Sequence, residues 1–351
     1  MDPTRREQCA AEARGLMAAA FSSPIWRKAE GKWSRTLSLA DGRTDPQPHY
    51  YYDLCNLYAF AQAMRLAPEL AAWREPWMDA VNWLFWAFAE SDWIGYAAAA
   101  LADKRDRYSM ALAPAALAAA FAVTGRPALR SRAVAWHRRY REKFPVGSEP
   151  NVQASNHAVL SALALAETTG DARYLADARA EAAFLLDRCR FSDGPAAGCF
   201  TDDFRQTAFP RHCYGAWAMT AVFEKDPDER WLAAATASMD WWQARQLPDG
   251  GFHFFFDARA ADWSDRTVYS VHQKGMFLHA AWAIDRHAQG RYLPMIERAM
   301  ACCDRQEWRY ASPDGWWCFR RSNVDPNVVY SYELGWEVLG LTLAGQGAAT
   351  A

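Results

Sequence analysis

The sequence has little net charge and no long hydrophobic run. Its 39 basic and 41 acidic side chains give a formal charge of -2 over 351 residues, so electrostatic attraction to nucleic acid or to an anionic membrane is not expected. The longest apolar segment, residues 110–123, contains Pro114 and is shorter than the roughly 20 residues that span a bilayer. We therefore expect a soluble protein without a nucleic-acid or membrane partner.

Cysteine is also scarce. The eight cysteines form no CxxC pair and are too dilute for a disulfide scaffold, so reduced thiols are expected. The adjacent Cys302 and Cys303 lie in an amphipathic stretch and are interpreted as small apolar residues of a helix. Charged residues near the start interrupt any apolar core of a secretory signal. A cytoplasmic location is the resulting prediction.

Recognisable metal and nucleotide motifs are missing. The sequence has no HExxH, EF-hand loop, GxGxxG, P-loop or Gly-x-Ser-x-Gly motif, and its eight histidines are scattered. We therefore expect no metal, no nucleotide cofactor and no α/β-hydrolase triad. Any catalysis would depend on side chains alone.

What the sequence does contain is a repeated pair of helices. An apolar segment is followed by a turn, an amphipathic segment and, in three copies, an Asp-Gly turn. The distances are nearly constant: Gly170 to Asp193 and Asp226 to Asp249 each span 23 residues, and residues 290 to 314 span 24. The apolar segments occupy residues 110–123, 158–169, 214–224 and 271–287.

The two helices of each pair differ in their apolar surface. The first is apolar nearly all round and must be buried, whereas the second has one charged face. Residues 53–64, 73–89 and 330–343 supply further helices, and residues 251–257 and 316–320 could form short β-hairpin arms at one rim. The sequence therefore predicts one all-α domain over residues 1–351. The layout resembles the (α/α)6 toroid of many carbohydrate-active enzymes and terpenoid cyclases.

The most informative polar residues come where two inner helices are predicted to begin. Asn156 and His157 open one of these helices. Arg205 precedes the next inner helix, and Tyr214 opens it. Over residues 151–223 this resembles the toroid-type polysaccharide lyases, such as alginate and heparinase-like lyases. The resemblance implies that these four residues are catalytic in a cofactor-independent β-elimination on a uronate-containing oligo- or polysaccharide.

Each residue type suits that chemistry. Removing the C5 proton of a uronate places charge on its carboxylate, which Asn156 and Arg205 can stabilise. Tyr214 is expected to serve as acid and base with its pKa depressed by neighbouring cations, and His157 as an alternative base. In a ring of this kind the segments leading into the inner helices are expected to gather at one mouth. Further residues are expected to bind substrate there: Arg211, His212, Tyr269, His272, Lys274, Tyr330 and Tyr332.

Less specific interpretations of these residues remain open. Ser155 or Asn156 could simply cap a helix, because both side chains accept backbone N–H groups of a first turn. His157 and Tyr214 could be core residues with satisfied polar atoms. A binding module without catalysis is a further alternative.

Two other enzyme classes compete. A glycoside hydrolase would use two carboxylates across a cleft. Residues 210–281 resemble unsaturated glucuronyl hydrolases, although residues 154–157 contain no carboxylate. Ser148-Glu149-Pro150 ahead of Asn156 and His157 resembles linalool dehydratase/isomerase-type enzymes, although both cysteines of that pattern are absent. The carboxylates available to a hydrolase are Asp106, Asp202, Asp203, Asp325 and Glu333. The sequence does not indicate the oligomeric state.

Overall fold

The helices form a ring of two layers. The computed structural model describes residues 1–45, 49–87, 104–266, 274–320 and 325–346. Within these ranges six inner helices pack side by side, and the last contacts the first. The predicted (α/α)6 toroid is therefore confirmed. The inner helices are α2 (Tyr50–Leu66), α4 (Lys104–Thr124), α6 (Val152–Thr169), α8 (Phe209–Phe223), α10 (Lys274–His287) and α12 (Ser331–Gln346).

Each inner helix packs against one outer helix. For five inner helices the partner follows directly in the chain, whereas α12 packs against α1. The chain's first helix thus completes the last pair. We did not predict α1, although Asp2 accepts the Arg5 N–H at 2.9 Å and Pro3 follows it, which are ordinary helix-start signals. The outer helices are α1 (Pro3–Ser22), α3 (Arg74–Ala87), α5 (Pro127–Lys143), α7 (Ala172–Arg188), α9 (Glu229–Gln243) and α11 (Leu293–Cys303).

Burial differs between the layers as the sequence predicts. Most residues of α6 and α8 are buried, whereas α7 buries only one stripe of its surface. In α4, an 18-residue window, Arg107–Thr124, is long and apolar enough to cross a membrane, but 72% of it is buried within the protein. The core helices of soluble proteins can be equally long and apolar, so this window is weak evidence for a membrane span. Cys302 and Cys303 are buried in α11.

Two inner helices begin earlier than predicted. Helix α6 begins at Val152, and its N-cap is Asn151, whose side chain accepts the Ala154 N–H at 2.9 Å. The interpretation of Ser155 or Asn156 as the cap is therefore wrong, because both lie inside the helix. Likewise α8 begins at Phe209. The candidate site residues consequently sit about one turn deeper in the ring than expected.

Short antiparallel sheets decorate the connections between helices. The first predicted strand region contains β6 (Phe255–Asp257), which pairs with β5 (Gln206–Ala208) and with β7 (Asp262–Trp263). The second contains β9 (Trp317–Phe319), which pairs with β8 (Arg309–Ala311). The remaining strands are β1 (Trp26–Arg27), β2 (Lys32–Trp33), β3 (Thr36–Ser38), β4 (Thr44–Asp45) and β10 (Val328–Tyr330). Strand β10 joins β3, so the two ends of the chain also meet in a sheet.

Glycine permits a close approach between α10 and α12. A Cβ atom added to Gly275 would lie 2.1 Å from the carbonyl carbon of Trp336, and one added to Gly340 would lie 2.5 Å from the Gly275 oxygen. Any larger side chain would push the two backbones apart. Gly250 plays a different part in its Asp-Gly turn, where φ is 93° and a Cβ would lie 2.1 Å from the Arg298 oxygen.

Candidate active site

Residues from several inner helices meet where those helices begin. Tyr51 is the second residue of α2, and its ring lies 5.6 Å from that of His157 on α6 and 5.7 Å from that of Tyr108 on α4. Tyr332, the second residue of α12, is 6.4 Å away by the same measure. The His157 and Tyr214 rings are 5.2 Å apart. The inner helix starts therefore line one mouth of the ring, as predicted.

A hydrogen-bonded group of four side chains lies below this mouth. The Tyr51 hydroxyl is 3.0 Å from His157 Nε2 and 3.2 Å from the Tyr214 hydroxyl. It also accepts a hydrogen bond from Gln153 Nε2 at 2.6 Å. Tyr51, His157 and Tyr214 are at most 5% exposed. We call Tyr51, Gln153, His157 and Tyr214 the mouth cluster.

Burial controls the charge state of this cluster. It lowers the pKa of His157 to about 3, so the imidazole is neutral at pH 7 and one ring nitrogen keeps a lone pair. Burial also raises the pKa of Tyr51 and of Tyr214 well above the usual value for tyrosine. The prediction of a Tyr214 with depressed pKa is therefore wrong. Loss of water around the phenol outweighs any effect of nearby cations.

Asn156 lies beside His157 and is fully buried. Its Nδ2 is 3.5 Å from His157 Nδ1, and its Oδ1 has no hydrogen-bond partner among the residues described. Rotating the amide by 180° would place the oxygen next to Nδ1. It could then accept an N–H from Nδ1, which leaves Nε2 as the acceptor facing Tyr51. Asn156 is thus placed to select the His157 tautomer.

The two candidate arginines lie apart from the mouth cluster's hydrogen bonds. Arg211 donates from Nε to Asp202 Oδ2 at 2.5 Å, and Asp202 Oδ1 accepts the Val152 N–H at 2.8 Å. Asp202 therefore joins the starts of α6 and α8. Arg205 is exposed on the connection before β5. Asp203 is exposed as well, and its carboxylate accepts the backbone N–H groups of Arg205 and Gln206.

His212 points between an inner and an outer helix. Its Nδ1 is 2.5 Å from the Ser238 hydroxyl, and its ring lies 4.9 Å from that of Trp242. Both neighbours belong to α9. The ring is completely buried and its pKa is lowered well below the usual value by desolvation. The structure thus does not bring His212 together with Tyr214.

An aromatic group borders the mouth cluster on the α12 side. The Tyr332 ring lies 4.5 Å from that of Tyr52, which stacks on His49 at 3.6 Å. Tyr330 lies 5.9 Å from Tyr52. The two substrate-binding predictions at the start of α12 therefore lie near Tyr51. Flat aromatic faces of this kind suit sugar rings as well as other apolar surfaces.

The remaining predicted site residues are placed as follows. Glu333 is buried, and its Oε2 lies 3.4 Å from the Tyr330 backbone nitrogen, whereas Asp325 is partly buried. Tyr269 and His272 lie outside the described residues, as do the side chains of Asp106 and Lys274. Across the described ranges, no group of three or more His, Cys, Asp or Glu side chains is arranged to hold a metal ion.

Sequence reasoning missed the residue at the centre of the mouth cluster. Tyr51 belongs to a run of three tyrosines that opens α2, and a polar aromatic run at the start of an inner helix was the available signal. Gln153 was missed because α6 begins several residues before the predicted start. Tyr51 meets His157 only because α2 and α6 belong to one ring, whereas Gln153 lies one turn before His157 on α6 and donates to the Tyr51 hydroxyl.

Comparison with solved structures identifies the architecture. No protein-family model and no curated protein matches the sequence. The cellobiose 2-epimerase of Bacillus thermoamylovorans superposes with a TM-score of 0.77 at 11% identity, covering 96% of this chain and 99% of that one. A D-mannose isomerase gives 0.72 at 15% identity, covering 97% and 98%. An unsaturated glucuronyl hydrolase specific for heparin gives 0.69 at 12% identity, covering 98% of each chain. At these identities the likeness establishes the toroid fold.

Proposed function

We propose that this protein is a carbohydrate-converting enzyme that removes a proton from a carbon next to a carbonyl or carboxylate group. The observation that carries the proposal is the Tyr51 hydroxyl, which lies within hydrogen-bonding distance of both His157 Nε2 and the Tyr214 hydroxyl. Three inner helices hold these groups in place, and the toroid fold is shared with enzymes named for acting on sugars. We assign this site to a single domain spanning residues 1–351.

The cluster supplies both partners of a proton transfer. As Tyr51 takes the substrate proton on its oxygen, its own proton passes to His157 Nε2, so the imidazole becomes an imidazolium. Because burial lowers the pKa of His157, that charge is unstable and the proton is returned quickly. When substrate binds, the Tyr214 hydroxyl turns its proton from the Tyr51 oxygen to the substrate oxygen on which negative charge develops. This frees one lone pair of the Tyr51 oxygen for the substrate proton, while the Gln153 amide keeps donating to the other. A weak buried base of this kind suits reversible transfer.

β-Elimination on a uronate is one reaction that begins with this step. It places charge on a carboxylate, which a nearby cation would stabilise. Arg211 already pairs with Asp202, and Arg205 is exposed on its loop. Elimination would therefore use a cation that is released from such a pair or that approaches from a loop when substrate binds.

Epimerisation or isomerisation of a sugar is the second candidate. The neutral donors of the mouth cluster favour it, because its developing charge lies on a carbonyl oxygen rather than on a carboxylate. The solved structures that share the fold include one named as an epimerase and one named as an isomerase. Hydrolysis is a further alternative, because an unsaturated glucuronyl hydrolase shares the fold. Of its candidate carboxylates, Asp202 and Asp203 are engaged by Arg211 and by backbone N–H groups.

The shared step is tested by isotope exchange. The protein is incubated in heavy water with a panel of aldoses, β-1,4-linked disaccharides and uronate oligosaccharides, and deuterium at the carbon next to the carbonyl or carboxylate is measured by NMR. Ultraviolet absorbance reports the unsaturated product of elimination in the same samples. We expect deuterium incorporation into one substrate class. New reducing ends without deuterium would contradict the proposal and would favour paired carboxylates.

Matched tyrosine variants connect the exchange to the site. Tyr51→Phe and Tyr214→Phe each remove one hydroxyl, and we expect Tyr51→Phe to lower kcat/KM by about 10²- to 10⁴-fold. Tyr292→Phe is the control, because that hydroxyl is bonded to Asp240 at 2.7 Å in the outer layer. It should leave kcat/KM unchanged. Equal activity in Tyr51→Phe and Tyr292→Phe would remove Tyr51 from the mechanism.

A further inference from the structure

A second cavity opens at the end of the ring opposite the mouth cluster. It has a volume of about 360 Å³ and lies among the C-terminal halves of α2, α6, α8, α10 and α12. Small-molecule sites range from roughly 300 to 1,000 Å³, so the cavity is large enough for a compact ligand. We call it the lower cavity.

A layer of aromatic side chains separates the lower cavity from the mouth cluster. Tyr58, Trp217 and Trp336 contact one another across the ring, with ring centroids 5.3 to 6.4 Å apart. Tyr58 is seven residues beyond Tyr51 on α2, which places it about 10 Å further along the helix axis. A ligand in the lower cavity therefore does not touch the proposed catalytic groups.

Three polar groups at the inner end of the lower cavity lack hydrogen-bond partners. Tyr58 is 7% exposed, and its hydroxyl forms no hydrogen bond with the described residues. Within the same ranges the Trp217 indole N–H forms none either. His279 Nδ1 is buried and is also without a partner among the residues that the structure describes. Because buried polar groups in folded proteins are nearly always hydrogen-bonded, these groups indicate partners that occupy the cavity.

These groups include both donors and acceptors. The His279 ring lies 3.9 Å from the Trp217 ring, so the two are neighbours. Burial lowers the pKa of His279 to about 3, so its imidazole is neutral, and one ring nitrogen accepts while the other donates. The indole N–H only donates, whereas the Tyr58 hydroxyl can do either. Ligand hydroxyl groups, which both donate and accept, match this mixed set.

Two ion pairs at the opening add further hydrogen-bonding positions. Arg65 of α2 pairs with Glu167 of α6 at 2.6 Å, and Arg286 of α10 pairs with Glu224 at 2.5 Å. Each pair places guanidinium donors beside carboxylate acceptors, and both groups keep positions beyond their mutual contact. Neighbouring hydroxyl groups of a ligand can bind to a donor and an acceptor arranged in this way.

The opening has no charge excess that would select an ionic ligand. The charges of the two ion pairs cancel. Lys225 also lines the cavity, but it is exposed and lies between Glu224 and Asp226 in the chain. Water screens an exposed charge of this kind. We therefore expect a neutral ligand.

We propose that the lower cavity binds a neutral cyclic polyol of about the size of a hexose. Its hydroxyl groups bond to Tyr58, Trp217 and His279, and to the ion pairs at the opening. Its C–H faces lie against leucine and alanine side chains, which form most of the remaining lining, Leu163 and Leu339 among them. The site is separate from the mouth cluster and does not depend on the function proposed for that cluster.

The test uses myo-inositol and methyl α-D-glucoside. Neither has a free carbonyl or carboxylate, so the proton transfer proposed for the mouth cluster does not act on them. Isothermal titration calorimetry measures binding, and NMR of the indole N–H groups of nitrogen-15-labelled tryptophan locates it. The Trp217 signal is assigned by its loss in Trp217→Phe. We expect at least one polyol to bind and to shift this signal, and cyclohexanol, a ring with a single hydroxyl, to bind more weakly.

Matched tyrosine variants test the hydrogen bonds. Tyr58→Phe removes one unpartnered hydroxyl and should weaken polyol binding by about three- to tenfold, the range of one neutral hydrogen bond. Tyr292→Phe is the control, because its hydroxyl is bonded to Asp240 in the outer layer, and it should leave binding unchanged. Tyr51→Phe should also leave binding unchanged, which distinguishes the lower cavity from the mouth cluster.

A further variant tests the location of the ligand. Ala221→Trp fills the cavity from a partly exposed position near the end of α8 and should abolish polyol binding while thermal unfolding stays cooperative. Failure of both polyols to bind would overturn the proposal and would leave water as the partner of the buried groups. Binding that Ala221→Trp does not abolish, or that Tyr58→Phe and Tyr292→Phe leave equally intact, would overturn it as well. Tighter binding of cyclohexanol than of either polyol would do the same and would indicate an apolar site.

Discussion

Asp53 offers a sharp test of how burial controls charge in this ring. It lies on α2 with 2% of its surface exposed, and its Oδ2 has no hydrogen-bond partner in the described ranges. The Trp33 backbone N–H and the Lys32 ammonium favour the ionised form, but burial outweighs both and raises the pKa of Asp53 to about 8. The folded protein therefore keeps this carboxyl protonated at neutral pH. We expect Asp53→Asn to become more stabilising, relative to the parent, as pH rises.

The magnitude follows from linkage between protonation and folding. An unfolded aspartate has a pKa near 3.9, so between pH 4 and pH 8 the folded state holds a proton that the unfolded state has released. Stability from this group is greatest below pH 4 and is lost as pH rises toward 8. Each pH unit contributes up to about 1.4 kcal/mol. From pH 5 to pH 8 the relative gain of Asp53→Asn is therefore at most about 4 kcal/mol.

Urea unfolding followed by tryptophan fluorescence at pH 5, 6.5 and 8 measures this gain. The control is Asp314→Asn, because Asp314 is exposed in an Asp-Gly turn and its substitution should have the same small effect at every pH. A difference between Asp53→Asn and the parent that stays constant from pH 5 to pH 8 would refute the reasoning. It would mean that Asp53 is ionised in the folded protein and stabilised by Lys32.

Three further predictions concern packing and buried charge. Gly275→Ala should lower the free energy of unfolding by about 3 kcal/mol or more, measured by thermal unfolding, because its Cβ would lie 2.1 Å from the Trp336 backbone. Glu181→Ala should lower the free energy of unfolding by about 3 kcal/mol, measured with urea, since it leaves the charge of the paired Arg141 uncompensated. Arg141→Met combined with Glu181→Leu should recover much of the loss. The pKa of His212 is lowered in the folded protein, so below about pH 6.5 only the unfolded state binds a proton at this residue. The free energy of unfolding therefore decreases as the pH is lowered. His212→Gln should therefore reduce the loss of stability between pH 6 and pH 4, measured by calorimetry.

The arrangement of helices was largely predictable because each layer has its own pattern of apolar residues. The segment 158–169, apolar nearly all round, becomes the buried part of α6, and the one-sided pattern that follows becomes α7. Helix boundaries were harder. Val152 begins α6 because Asn151 caps it, whereas polar residues inside the helix, such as Asn156, resembled caps in the sequence.

The candidate site was only half predictable. His157 and Tyr214 were identified from their positions at the starts of two inner helices. Tyr51 was not, because it lies 106 residues before His157 and only closure of the ring brings the two together. Arg211 is predicted from the sequence to bind a substrate, yet its guanidinium already forms an ion pair with Asp202. Sequence spacing indicates which end of a helix a residue occupies, but not which charges it meets there.

The pairing of α1 with α12 has a consequence for how the protein is made. Leu16 and Met17 of α1 are completely buried, and the helix that covers α1 ends at Gln346. A ribosome that adds roughly 5 to 20 residues per second needs on the order of half a minute to reach that point. During this interval the apolar stripe of α1 must be shielded by a chaperone or by temporary contacts with earlier helices. Pauses in translation before α12 would therefore raise the risk of aggregation more than pauses after it.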